Sequence, residues 1–534
     1  MQYEFLTLCV PLIVVILASI TKNVRVSVGV AIVFAALIAT DFSLVGAFQL
    51  VLQRFLEVSE LSNFASWPRF LGSFNLFICL FLLLLGIIIE LIQQSGGAYA
   101  YGNFIIDKLK NAKNAQRASL ILSLGFGMDD YFSSLTVGSV MRPITDEFRI
   151  ARVKLGLLVN SLASPLAVLF PLSSWIAQIV GQFRQAGIGT SIKNGILIAH
   201  DPFYLYLSVI PFLLYAIIAF FSIWFIVSKG YVHGTLAKHE RIAQKTGNLF
   251  AGRVLTTRAP RKSSEYFAGA RVWDFLLPIL LLVGSVVLFN MYCGNDIPLA
   301  LCKGGGITVL FSCVYLVFRG RIAPKEILGI VWHGSRLMMS SVVVVVFIWT
   351  LSALLKDDLQ LGSYLAGLIG GRIAIHLLPA LFFIAAVTIS TMIGSAWGAF
   401  GILLPIAIPM LVSLSGVSVP AHIGELSMLL PLLGAIISGS VAGNHLSPIA
   451  DVMFMSSTSA GAYHLDLVRV MAGFAFPVVL AALGAFLLQG YLLVWGCSLV
   501  GAMIVTLLFG IGLNFLIVFL LHVMSIKRYA ARNE

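Results

Sequence analysis

The sequence predicts an all-α polytopic membrane protein with roughly 11–13 transmembrane helices, built from inverted-topology repeats with discontinuous helices. Three observations predict it. The composition is too apolar for a soluble fold, apolar runs of membrane-spanning length follow one another along the chain, and polar or broken stretches at membrane depth recur in two halves.

Of 534 residues, 59% are hydrophobic and only 10% charged, with a mean hydropathy of +1.00; ordinary globular domains carry about 25% charged residues. The net charge of +12 suggests nucleic acid only until its placement is read. Between Lys229 and Arg271 nine Lys or Arg residues face Glu240 and Glu265, a second group (Arg319, Arg321, Lys325, Arg336) follows, and the tail ends with Lys527, Arg528 and Arg532. Short basic connections between apolar spans mark the cytoplasmic side. Residues 228–272 therefore read as a basic cytoplasmic loop. The C-terminus is expected inside, with Lys22, Arg25 and Lys108–Arg117, and the N-terminus outside, in the inner membrane of a bacterium. No nucleic-acid partner is expected. The partners are membrane lipid and the transported species, and a homodimer is allowed.

A spanning helix needs about 20 mostly apolar residues. That places spans near 5–21, 24–40, 72–93, 153–180, 203–227, 273–291, 304–318, 337–355, 466–488 and 491–520. Phe5 to Ile20 reads as a true span because no basic region precedes it and no cleavage site follows. Glu90, with Gln93, Gln94, Ser95 and Gly96 after it, reads as a helix end at the interface. Of the six cysteines, Cys293 and Cys302 flank one short loop; none has metal-ligand spacing. The whole chain, 1–534, reads as one transporter domain with approximate repeats at 72–227 and 337–488.

Three stretches, 116–141, 374–412 and 425–460, are apolar overall yet carry Gly, Pro, Ser and charges. The topology requires 116–141 to begin and end on one face, hence a re-entrant segment. Residues 163–175 also align without gaps on 446–458. Ser164, Pro165, Ala167, Ser173 and Ser174 match Ser447, Pro448, Ala450, Ser456 and Ser457, which puts Asp451 opposite Val168. Paired broken helices of opposite orientation are how many secondary transporters form their binding sites.

Four constellations carry the chemistry. In residues 127–148, Asp129 and Asp130 precede Ser133, Ser134 and Thr136. A charged Asp at mid-membrane costs at least about 2.5 kcal/mol, so such a residue faces a cavity or a partner. Asp130 shares a helix face with Ser133 and Ser134, a set of hard oxygens suited to a small cation; the alternative is a cap at the interface. In residues 159–175, two prolines free backbone carbonyls that Asn160, Ser161, Ser164, Ser173 and Ser174 can answer, or the serines bond only their own helix. Residues 388–409 combine polar Thr388, Ser390, Thr391 and Ser395 with small residues that permit close packing. In residues 438–458, Asn444, His445, Ser447 and Asp451 follow a Gly-rich break. His445 is either a proton relay or a hydrogen-bonded structural histidine.

Taken in order, GMDDYFSSLTVGSVMRPITD, the Ser-Pro-rich span after it, GSAWGAFGILLPIAIP and GNHLSPIADVMFMSST resemble the sodium–proton antiporter family of the NhaC type, within the ion transporter superfamily. The resemblance runs from about residue 70 to 470. It implies an inverted-repeat fold with two broken helices and exchange of sodium for protons, or of both against small organic acids or amino acids. By position it points to Asp129, Asp130, Ser395, Trp397, His445, Ser447 and Asp451. The family usually has an Asp before the His; here that position is Asn444, so a cation ligand or proton carrier is missing.

The expected function is secondary active transport, foremost Na+/H+ antiport by alternating access, with a Na+- or H+-coupled carrier of an organic acid or amino acid as the alternative. A membrane enzyme or a channel fits less well, since His445 with Asp451 is the only nucleophile–base candidate and the two halves differ in polar content. No cofactor is expected beyond transported Na+ and H+. The expected cation site joins Asp130 and Asp451 with hydroxyls of Ser133, Ser164 and Ser447.

Overall fold

The structure is a computed structural model that describes residues 4–21, 23–65, 70, 73–106, 111–190, 196–252, 269–292, 297–369 and 373–530. Lys22, Lys108, Cys293, Arg532 and the whole basic stretch 253–268 lie outside the described residues, and with them the Cys293–Cys302 pair and part of the basic loop. Among the described residues 11 helices are long and apolar enough to cross a membrane, or 12 if Val24–Ala39 and Leu44–Ser59, bent by 120°, count as one span.

Most expected spans appear as helices. Four differ. Residues 153–180 are two helices, Arg152–Leu169 and Ser174–Gln185, because the chain leaves helical geometry at Phe170 and Pro171 follows. Residues 203–227 are interrupted by a tight turn at Ile210–Phe212, where Pro211 cannot donate. The first span is short, Cys9–Thr21, and the last begins at Leu499 rather than 491. The chain also has a helix the hydropathy reading passed over, Leu44–Ser59, whose Arg54 pairs with Asp358 at 2.8 Å.

The functional centre is set by a repeated order of helix, break, helix. In the first half Ala112–Gly125 and Asp130–Glu147 pack side by side around residues 126–129. Arg152–Leu169 then leads to residues 170–173 and Ser174–Gln185. The second half repeats this with Leu378–Ile393, Ala396–Ser415, Leu429–Leu446 and Asp451–Ala460. Leu378–Ile393 runs in the same direction as Leu429–Leu446, since Gly439 packs on Phe383 and Gly443 on Ser390. Gly394, at φ 74°, then turns the chain back, and a side chain there would collide with Ile449. This pair is a helical hairpin that enters and leaves on one side.

The two halves are inverted, with Leu214–Lys229 as the ruler: 16 residues at about 1.5 Å each, or roughly 24 Å. Beyond its Lys229 end, Glu240 accepts from the Ala151 N–H at 2.9 Å and from Lys154 at 2.7 Å, fixing the start of Arg152–Leu169. At its opposite end, Gly434 packs against the Phe212 carbonyl and Ser438 accepts from the Tyr215 N–H at 3.4 Å, fixing Leu429–Leu446. The two helices enter from opposite sides and meet near their ends, where Asn444 donates to Ser164 at 3.2 Å. Leu429–Leu446 is 94% buried, whereas Leu499–Lys527 is 22% buried with its apolar face outward.

This register corrects the sequence alignment. Arg152–Leu169 and Leu429–Leu446 are each 18 residues long, so the breaks that correspond are 170–173 and 447–450. Ser164–Pro165 lies inside a helix and is not the partner of Ser447–Pro448. The counterpart of Asp451 is Ser174, not Val168.

Lys154 and Glu240 are each 5% exposed. Removing one member of a buried ion pair strands the other charge, at about 3 kcal/mol or more. Glu240→Ala is expected to lower the thermal unfolding midpoint of the detergent-purified protein markedly. Lys154→Met combined with Glu240→Leu should recover most of the loss, leaving only the uncapped Ala151 N–H.

Candidate functional site

Four helices begin at the centre: Asp130–Glu147, Ser174–Gln185, Ala396–Ser415 and Asp451–Ala460. Each start leaves unpaired N–H groups and the positive end of a helix dipole. Side chains answer them. Asp129 caps the Phe132 N–H at 2.9 Å, Ser173 the Ile176 N–H at 3.3 Å, and Ser395 the Gly398 N–H at 3.2 Å. The helix ends need acceptors' partners too: Ser173 donates to the Ala167 carbonyl and Tyr206 to that of Val168. His464 contacts the Pro448 carbonyl at 2.7 Å.

Two carboxylates sit where these ends converge. Asp129 and Asp130 are 2% and 3% exposed. Asp129 also accepts from the Ser174 hydroxyl at 2.8 Å, which joins the first hairpin tip to the helix after the second break. The Ser174 N–H donates to the Met128 carbonyl at 3.2 Å. Asp130 accepts from Ser164 at 3.2 Å, and Ser164 in turn receives the Asn444 amide at 3.2 Å. Asn444 thus supplies what an ionised Asp cannot, an N–H donor, and leaves the Ser164 proton free to point at Asp130.

Most of the remaining predicted residues fall into three groups. Ser133 and Ser134 are buried on the helix that Asp130 opens, and their hydroxyls meet no partner among the described residues. Asn160 accepts from Ser456 at 3.3 Å and lies against Met453, and His445 contacts the buried Tyr215 hydroxyl through Nδ1 at 2.8 Å. Ser173, Ser395 and Ser447 serve the backbone, the last accepting from the Ile449 N–H at 3.3 Å. Trp397 stands edge-on to Trp175, with ring centroids 6.1 Å apart.

Asp451 differs from Asp130 in its surroundings. It is exposed, opens its own helix, and accepts from the Tyr131 hydroxyl at 3.3 Å. Asp451 is thus bonded to Tyr131, the residue after Asp130. Sequence reasoning missed Tyr131, Tyr215 and Ser456. Tyr131 carried a signal in its place directly after the Asp pair, and Ser456 in its alignment with Ser173; Tyr215 carried none.

Residues 166–488 match the Na+/H+ antiporter family. The chain belongs to that family. It is a multi-pass membrane protein and a secondary transporter. A relative from Haemophilus influenzae, described only as an uncharacterized protein, is 26% identical over 503 residues, 90% of each chain. Among solved structures the family member is similar to the YdaH transporter of Alcanivorax borkumensis, at 17% identity and a TM-score of 0.46 over 80% of this chain and 88% of that one. It is also similar to MtrF of Neisseria gonorrhoeae, described within a class of antimetabolite efflux pumps, at 15% identity and a TM-score of 0.47 over 85% of each chain.

Ser164→Ala removes the hydroxyl bonded to Asp130. A hydrogen bond to a charged group is worth about 1.5–3 kcal/mol, so cation–proton exchange in proteoliposomes should fall about tenfold or more. Ser161→Ala, whose hydroxyl bonds its own helix at the Leu158 carbonyl, 3.3 Å, should change exchange by less than about twofold.

Proposed function

We propose that this chain exchanges a monovalent cation, sodium first among the candidates, for protons, and that Asp129 and Asp130 are the groups that load alternately. One observation carries the reading. Two adjacent carboxylates are buried where four helix starts meet, and among the described residues their side chains are met by hydroxyls and backbone N–H groups rather than by lysine or arginine. An acid so placed needs either a proton or a cation. It cannot hold both at once, and that competition is antiport.

The inverted halves support alternating access. Asp129 and Asp130 are anchored to both Ser174 and Ser164, at the meeting point of elements that enter from opposite sides. Relative movement of these elements exposes the pair to one side at a time. Asp451 and Tyr131 stand beside the buried pair on an exposed edge, as an entry station for the ion.

The same reading places the protein in a bacterial inner membrane with the C-terminus cytoplasmic. The Gly234 N–H donates to Ser525 at 3.1 Å and Tyr231 stacks on His522 at 4.4 Å. The basic segment after Lys229 and the basic C-terminal end therefore share a face, the distribution that retention on the cytoplasmic side favours. Lipid covers the outward apolar faces.

The test is proton flux in proteoliposomes driven by an imposed sodium gradient, followed with an internal pH dye. Asp130→Asn, similar in shape but unable to exchange a proton, is expected to abolish flux. Full exchange by Asp130→Asn would refute the assignment.

A further inference from the structure

The helix after the break at 170–173 carries a feature that cation–proton exchange leaves unused. Trp175, Gln178 and Gln182 lie three and four residues apart on Ser174–Gln185 and so form one stripe. Gln178 is fully buried, and neither its Oε1 nor its Nε2 has a hydrogen-bond partner among the described residues. Gln182, also fully buried, accepts from Ser352 at 3.0 Å and keeps its Nε2 free. Facing them on Ile327–Ala353, Trp349 is fully buried with Nε1 unpaired. Gly181 lets the Trp349 indole lie directly on the helix; a side chain there would occupy the ring's place.

Buried amides are almost always satisfied, so a fully buried one with both ends open takes a partner from outside the chain, a water, an ion or a bound molecule. The free groups are one carbonyl and several N–H donors, complementary to an amide, and none of them is charged. The stripe also starts at the carboxylates, because Ser174, one helical turn before Gln178, donates to Asp129.

We propose that Trp175, Gln178, Gln182, Trp349 and Ser352 form a second, uncharged subsite that receives the amide-like end of an organic amine whose ammonium group is held by Asp129 and Asp130. The inference rests on the proposed loading role of those carboxylates and extends it. Besides an alkali ion, the site then takes an organic cation of at least two functional groups; the alkali ion alone leaves the glutamines unused. The indole faces supply flat apolar walls for its carbon skeleton.

Binding distinguishes this from the exchange reading, because it needs no gradient. The probes are propylamine and β-alaninamide, of equal chain length, the second ending in a carboxamide. Thermal unfolding of the detergent-purified full chain is followed as each is titrated. β-Alaninamide is expected to act at a concentration at least about tenfold lower than propylamine, and Gln178→Leu to reduce that preference to less than about twofold. Gln182→Leu, read in the same way, serves if Gln178→Leu does not fold. Equal action of the two amines on the wild-type protein overturns the proposal, as does an undiminished preference in a folded glutamine variant. Amine discrimination without sodium-driven proton flux would instead retain the subsite and remove the sodium reading.

Discussion

Everything at the centre of this molecule follows from one constraint, that a helix broken inside an apolar bundle must satisfy the backbone groups it exposes. In lipid each unsatisfied group costs several kcal/mol, so breaks survive only where side chains or a wet cavity answer them. This chain has four breaks in one place. Their demands explain Ser173, Ser395, Ser447, Tyr206 and His464, each of which bonds a main-chain atom. Subtracting them leaves Asp129, Asp130, Ser133, Ser134, Ser164, Asn444 and His445, whose polar atoms face one another or remain open. That remainder is the proposed site.

The constraint also explains the asymmetry of the halves. Asp129 is a cap and, in the proposed exchange, also a loading group: one oxygen accepts from the Phe132 N–H and the other from Ser174. The equivalent cap in the second hairpin is Ser395, which meets the same backbone need without charge. The chain thus places its buried charge in one hairpin tip, while Asp451, first in its helix, stays on the exposed edge. Asn444 belongs to this division. Its amide turns the Ser164 hydroxyl toward Asp130 and links the tips of the inverted arms through one hydrogen-bonded line.

Much of this was legible in the sequence, for physical reasons. Lipid demands long apolar runs, so the helices declared themselves by hydropathy, and the breaks did so by Gly, Pro and Ser at membrane depth. The adjacent acids at 129 and 130 stood out because charge there is costly. The register of the repeat was not legible. Matching the letters Ser-Pro at 164 and 447 aligned a proline absorbed within a helix with one that follows a helix end, and the fold matches ends to ends. Contacts across the halves, such as Tyr131 with Asp451 or Tyr215 with His445, are set by packing between segments far apart in sequence. Gln178 and Gln182 escaped notice for a related reason: read along the chain, they are the polar tail of a span, and only the break at 170–173 turns that tail into a buried helix.

The central claim is that a proton and a cation compete for the buried pair Asp129 and Asp130. It is tested most directly without membranes or gradients, by counting protons released when sodium is added to the detergent-purified protein in weak buffer containing a pH dye. The account predicts proton release that saturates with sodium, at roughly one proton or more per protein, and that vanishes when both acids are amides. Saturable sodium binding with no proton release, or release that persists in the doubly amidated protein, would contradict it.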